Sequence, residues 1–158
     1  MADQGTNTGA TAESSSVVTL ALFGLGRAGS IHLANIVANR KVQLKYIVES
    51  DQSKWASVKT KFNLLDVKFL TSQETNIIYE DDSLNAVMVA TPTSSHEEYI
   101  TKSLEAKKAV FTEKPVSEDS EAVERCYQLA AKVGKPLFCA FNRRYTRSYI
   151  PFEGIIQK

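Results

Sequence analysis

A glycine turn, Gly24-Leu25-Gly26-Arg27-Ala28-Gly29, follows directly on the apolar run Val17-Val18-Thr19-Leu20-Ala21-Leu22-Phe23 and opens a segment of helical spacing, Ala28 to Ala38. No other feature limits the fold so strongly. A strand that is apolar at successive positions is covered on both faces, which calls for helices on either side of a parallel sheet. In such a strand-turn-helix unit the first glycine permits the tight turn, the second lets backbone approach a pyrophosphate, and the third lets the helix pack closely on the strand. Amides at the helix start then face the phosphates. The motif therefore predicts a dinucleotide site formed by Gly24, Leu25, Gly26, Arg27, Ala28 and Gly29.

The rest of the chain keeps the same rhythm. Strand patterns are expected at Val42 to Val48, Val67 to Leu70, Ala86 to Ala90, Ala109 to Thr112 and Pro136 to Phe141. Between them, Gln52 to Phe62 carries Trp55, Val58 and Phe62 on one stripe, and Thr75 to Tyr79 reads as a helical turn. Ser94 and Ser95 stand three positions before Glu97 and Glu98, the capping-box interval, so a helix is expected from there to about Lys107. Ser117 and the acidic residues after it open the last helix, with Gly134 as its cap. Alternating elements of this length specify an α/β fold, a doubly wound Rossmann arrangement with a mostly parallel sheet.

At 158 residues, 43% hydrophobic and 23% charged, the chain suits one ordinary domain. That domain is expected over residues 17–145. Residues 1–16, poor in large apolar groups, read as a disordered tail, and residues 146–158 as a linker or the start of a truncated second domain. A net charge of +1 gives no field that would single out nucleic acid or an anionic membrane as partner. No apolar run approaches the roughly 20 residues of a membrane span, and the first residues carry neither a basic nor an apolar signal region. A cytoplasmic location is expected. Cys126 and Cys139 lack metal-ligand spacing and read as reduced packing residues, and no metal site is expected.

Glu49 closes the second strand, at the interval where a carboxylate receives the ribose hydroxyls in dinucleotide folds. An acid there favours NAD, with NADP the alternative, because a 2′-phosphate is repelled unless a cation bridges the charge. Asp51 is the rival acid and reads as a helix-start residue. Thr91 and Pro92 end the fourth strand at the carboxyl edge of the sheet, where ligands bind in open α/β folds. His96 is open to two readings, a locally satisfied helix-start residue or a neighbour of the nicotinamide ribose; His32 reads as a packing or orienting residue.

Four segments occur in a fixed order: Gly24-Leu25-Gly26-Arg27-Ala28-Gly29-Ser30-Ile31-His32, Ala90-Thr91-Pro92-Thr93-Ser94-Ser95-His96, Thr112-Glu113-Lys114-Pro115-Val116 and Phe141-Asn142-Arg143-Arg144-Tyr145. Together they resemble the glucose-fructose oxidoreductase and inositol dehydrogenase family, most of all its inositol 2-dehydrogenase branch, from Val17 to about Phe152. The resemblance implies an oxidoreductase that moves a hydride between a nicotinamide cofactor and a sugar or polyol hydroxyl. It places the Glu113-Lys114-Pro115 turn beside the nicotinamide, with Pro115 in the cis form. Lys114 would be the catalytic cation that contacts cofactor and substrate hydroxyl, a role suited to a flexible ammonium with three donors. Asn142 and Arg143 would face the cofactor carboxamide or the substrate, and Arg144 a surface acid.

Where the family commonly has Gly-Lys before the fifth strand, this chain has Lys107-Lys108, giving up a favourable left-handed cap. Members of the family also continue into a second α+β domain that supplies an Asp and a His. That domain is absent here, so a small-molecule polyol partner is implied only for a completed site. A homo-oligomer is a further expectation. A stand-alone, non-catalytic dinucleotide module is the alternative, and whether this chain is itself an enzyme stays open at this point.

Overall fold

The computed structural model describes residues 17–145; the expectations for residues 1–16 and 146–158 lie outside them. Six strands, β1 (Val18–Phe23), β2 (Val42–Val48), β3 (Lys68–Leu70), β4 (Ala86–Val89), β5 (Ala109–Thr112) and β6 (Leu137–Cys139), form one sheet in the order β3-β2-β1-β4-β5-β6. Every neighbouring pair is parallel. Five helices connect them: α1 (Arg27–Ala38), α2 (Trp55–Phe62), α3 (Asn76–Glu80), α4 (His96–Glu105) and α5 (Ser120–Val133). The doubly wound Rossmann arrangement is thus observed. Its strand order reverses between β1 and β4, which opens a crevice at their carboxyl ends.

β1 shows why its sequence is apolar throughout. Ala21 and Phe23 point into one core with Ile78, Ile100, Leu104 and Cys126, whereas Leu20 and Leu22 enter the other with Leu33, Ile36 and Ile47. Phe23 and Leu22 are fully buried, and each contributes about 1.5–3 kcal/mol by leaving water. Cys126 and Cys139 are free and buried among these groups, and burial raises both thiols above their ordinary range. Trp55, Val58 and Phe62 pack against the second core as their stripe predicts.

Several boundaries differ from the sequence expectation for identifiable reasons. The Ser95 hydroxyl does not cap α4; it donates to the Pro92 carbonyl at 2.8 Å and shares a hydrogen bond with the Thr91 hydroxyl at 2.9 Å, closing the preceding turn. The capping box that forms is Thr71 with Glu74, before α3. Ser117 does not start α5, because the Asp119 carboxylate takes the Glu121 and Ala122 amides at 3.0 and 3.3 Å and sets the start there. Gly134 caps its far end at φ 67°. The last strand is shorter than Pro136 to Phe141. Lys107 takes the left-handed conformation at φ 56°, the strained cap read from Lys107-Lys108. Lys108 is buried, its ammonium donating to the Asp81 carbonyl at 2.7 Å, and burial lowers its pKa.

Candidate functional site

The residues that follow the strands line up along the carboxyl edge of the sheet. Gly24, Glu49, Ala90, Glu113 and Ala140 each take the first position after a strand. Each donates its N–H to the last residue of a neighbouring strand: Val48, Leu70, Phe23, Val89 and Thr112, at 2.8 to 3.0 Å. The ladder therefore continues one residue past five of the six strands, and the loops after them start from fixed positions.

The glycine turn divides its duties as the motif predicts. Gly24 has φ 91°, and a Cβ there would come within 2.7 Å of the Ala90 carbonyl oxygen. At Gly29 a Cβ would overlap the Gly24 carbonyl outright. Gly26 is different: nothing lies within 4 Å of the place a Cβ would occupy. It caps α1 without a side chain, and no acidic residue lies in the first turn. An uncapped helix start with open space above it fits an anion such as a pyrophosphate. Leu25 buries its side chain and contributes only backbone.

Glu49 holds that turn. Its Oε2 accepts from the Leu25 N–H at 2.8 Å and its Oε1 from the Asp51 N–H at 2.9 Å. A carboxylate offers about four lone-pair positions, so two bonds leave capacity for ribose hydroxyls. Asp51 is the helix-start residue the sequence suggested. It accepts from the Ser53 N–H, and the Ser53 hydroxyl, with Lys54 alongside, holds its carboxyl below the usual range.

Two clefts flank the turn. The first, about 440 Å³, lies over the β1–β4 crevice and brings together Gly24, Gly26, Glu49, Thr91, Pro92 and Lys54. The second, about 480 Å³, lies toward β5 and β6 and joins Arg27, Ala28, His32, Glu113, Lys114 and Asn142. Lys114 is exposed at its rim, and the Lys114–Pro115 bond is cis. The His32 ring nitrogen sits 2.7 Å from Glu113 Oε1, while Glu113 Oε2 accepts from the Lys114 N–H at 3.3 Å. His32 thus orients the turn that carries Lys114.

His96 takes the first of its two readings, that of a locally satisfied residue. It is 1% exposed, with Nδ1 2.7 Å from the Pro115 carbonyl and Nε2 2.8 Å from the Thr91 carbonyl. Both ring nitrogens face backbone carbonyls, of which a neutral ring donates to one, so His96 sits buried between the β4 loop and the Lys114 loop and lines neither cleft. Arg143 is exposed on the turn Asn142–Tyr145 and lines neither cleft. Sequence reasoning did not single out Lys54, whose Nζ is 3.8 Å from Glu49 Oε1 and 3.4 Å from Asp51 Oδ2. The three-residue interval from Asp51 to Lys54 was the available signal. Tyr99, on the wall of the first cleft, was also missed; burial raises its pKa.

Residues 18–141 match the family model described as an oxidoreductase family, NAD-binding Rossmann fold, of the Gfo/Idh/MocA type. The chain belongs to this family. It is 30% identical over 130 residues to the myo-inositol 2-dehydrogenase of Thermotoga maritima, covering 82% of this chain and 38% of that protein. Against the scyllo-inositol 2-dehydrogenase (NAD(+)) of Bacillus subtilis it is 30% identical over 132 residues, covering 84% and 38%. The solved scyllo-inositol dehydrogenase of Lactobacillus casei with bound NAD(H) and scyllo-inositol superposes with a TM-score of 0.76 at 25% identity, over 89% of this chain and 41% of that one. The chain therefore spans about two fifths of the length of these relatives. No helix among the described residues is long and apolar enough to cross a membrane.

Proposed function

We propose that this chain is the cofactor-holding part of an NAD-dependent oxidoreductase acting on a polyol hydroxyl, and that it binds NAD along the carboxyl edge of its sheet. The observation that carries this reading is the open, uncapped helix start at Gly26 with Glu49 bonded to the turn below it. In this reading the α1 amides hold the pyrophosphate and the free lone pairs of Glu49 take the adenosine ribose hydroxyls. The second cleft receives the nicotinamide end, with Arg27, Ala28, Glu113 and Asn142 around it. Bound NAD supplies the hydride acceptor.

Lys114 is the residue assigned to chemistry. Its exposed ammonium on a fixed turn can hydrogen-bond a substrate hydroxyl and stabilise the alkoxide that forms as the proton leaves. A polyol substrate comes to this reading from the names of the relatives, which include inositol dehydrogenases. Of the two histidines, His96 is buried between two carbonyls, and the reading gives His32, held at Nε2 by Glu113, the role of orienting the Lys114 turn, so neither is assigned as the proton acceptor. The reading therefore assigns cofactor binding to this chain and expects no sustained polyol turnover from it alone.

The test is a calorimetric titration of the full chain with NAD, paired with an absorbance assay for reduced cofactor over a panel of inositols. Binding without turnover is the expected result. Absence of NAD binding at millimolar concentration overturns the reading. Turnover above a Lys114→Ala control would show that the acid-base machinery is complete within the chain.

A further inference from the structure

The ribose end of the first cleft carries a cation that an NAD site does not require. Lys54 Nζ stands 3.8 Å from Glu49 Oε1 and 3.4 Å from Asp51 Oδ2, and its side chain is 45% exposed on the cleft wall. Its backbone is fixed: the Lys54 N–H donates to the Asp51 carbonyl at 3.2 Å, in the short turn Gln52–Lys54 that leads into α2. A tethered stem with a solvent-reaching ammonium can turn from the carboxylates toward a ligand group placed between them.

Resting on the cofactor reading above, we propose that Lys54 admits a 2′-phosphate, so that the site takes both NAD and NADP. The charge count around the ribose position supports this. Glu49 and Asp51 are two anions, and a 2′-phosphate set against them alone would be repelled. Both oxygens of Glu49 already receive backbone N–H groups, from Leu25 and Asp51, and one oxygen of Asp51 receives the Ser53 N–H. These donors offset part of the negative field. Lys54 adds a full positive charge on the open side, where a phosphate oxygen can accept its protons in a charge-assisted bond. Ser50, exposed on the same wall, leaves room for the group. The neutral ribose of NAD carries no charge at that position, so removing Lys54 acts mainly on NADP.

Trp55, the one tryptophan of the sequence, donates its indole N–H to the Glu49 carbonyl at 3.1 Å and gives an optical signal beside the site. Its fluorescence is followed while NAD, NADP, AMP and adenosine 2′,5′-bisphosphate are titrated into wild type, Lys54→Ala and Lys54→Arg. The expected wild-type affinities for NAD and NADP lie within about tenfold of each other, or about 1.4 kcal/mol. In Lys54→Ala the NADP-to-NAD affinity ratio falls by about tenfold or more, and the bisphosphate-to-AMP ratio falls with it; Lys54→Arg keeps both ratios near wild type. An NAD preference above about a hundredfold in wild type, or ratios that do not move in Lys54→Ala, overturns the Lys54 assignment while leaving NAD binding intact. If wild type binds none of the four, the cofactor reading falls and this proposal falls with it.

Discussion

Gly26→Val separates binding from folding more cleanly than any other change at this site. The backbone at Gly26 has φ −67° and ψ −168°, an extended conformation open to valine, and no atom lies within 4 Å of the new Cβ. The stability cost is the poorer helix cap, about 0.5–1 kcal/mol, or a melting shift of a few degrees. The ligand loses much more. The new methyl groups fill the space over the α1 amides, and losing two charged hydrogen bonds of about 1.5 kcal/mol each removes about 3 kcal/mol, or over a hundredfold in NAD affinity. Gly29→Ala behaves in the opposite way, because its Cβ would overlap the Gly24 carbonyl and the helix must move off the strand. Calorimetric titration and thermal unfolding of both variants check the argument. A Gly26→Val chain that binds NAD like wild type, or that melts as low as Gly29→Ala, would refute it.

Glu49→Gln keeps the shape but presents one oxygen where two accepted, leaving the Leu25 or the Asp51 amide without a partner. It should cost about 1–3 kcal/mol in urea unfolding and weaken NAD as well; loss of one without the other would separate the two roles given to Glu49. His96→Phe removes the one N–H that a neutral ring donates to the Pro115 or the Thr91 carbonyl in a buried place and should cost about 1–3 kcal/mol, so a loss below about 0.5 kcal/mol would show that the tie is weak. Asp81 contributes to acid stability: burial alone would raise its carboxyl, but bonds from Lys45, Ser83 and Tyr46 outweigh it and hold the group far below its usual range. Because the folded value is depressed, this stabilisation is present above the unfolded pKa of about 4 and is lost as pH falls toward the folded value. Asp81→Asn should flatten that slope, and an unchanged acid unfolding curve would count against it.

The parts of the fold that were legible are those in which one local rule acts alone. The apolar run of β1 and the glycine spacing after it specify strand, turn and helix without help from distant residues, and Gly134 marked the end of α5 because only a left-handed cap fits there. Serines were misread where a competing acceptor lay off the local pattern. The Ser95 hydroxyl finds Thr91 and Pro92 in the turn before it, and Asp119 outdoes Ser117 because a carboxylate accepts two amides at once. Partners across the sheet were invisible for a different reason. Nothing in the spacing of His32 and Glu113, or of His96 and Pro115, reveals that a helix and the loop after β5 bring them within 2.7 Å.

Those cross-sheet bonds explain how loops at a sheet edge can hold a site before any ligand arrives. Glu49 from β2 fixes the turn after β1, His96 from α4 joins the loops after β4 and β5, and His32 from α1 holds Glu113 beside Lys114. Each loop is thus pinned by a side chain that belongs to another element. Rotamer and loop entropy that a flexible site would lose on binding has already been lost on folding. Stability and binding are consequently drawn from the same bonds, and substitutions at Glu49 and His96 cannot change one without the other. Gly26 and Lys54 stand outside this arrangement: the first makes no side-chain contact and the second is nearly half exposed, so they are the positions at which ligand choice can vary while the fold is kept.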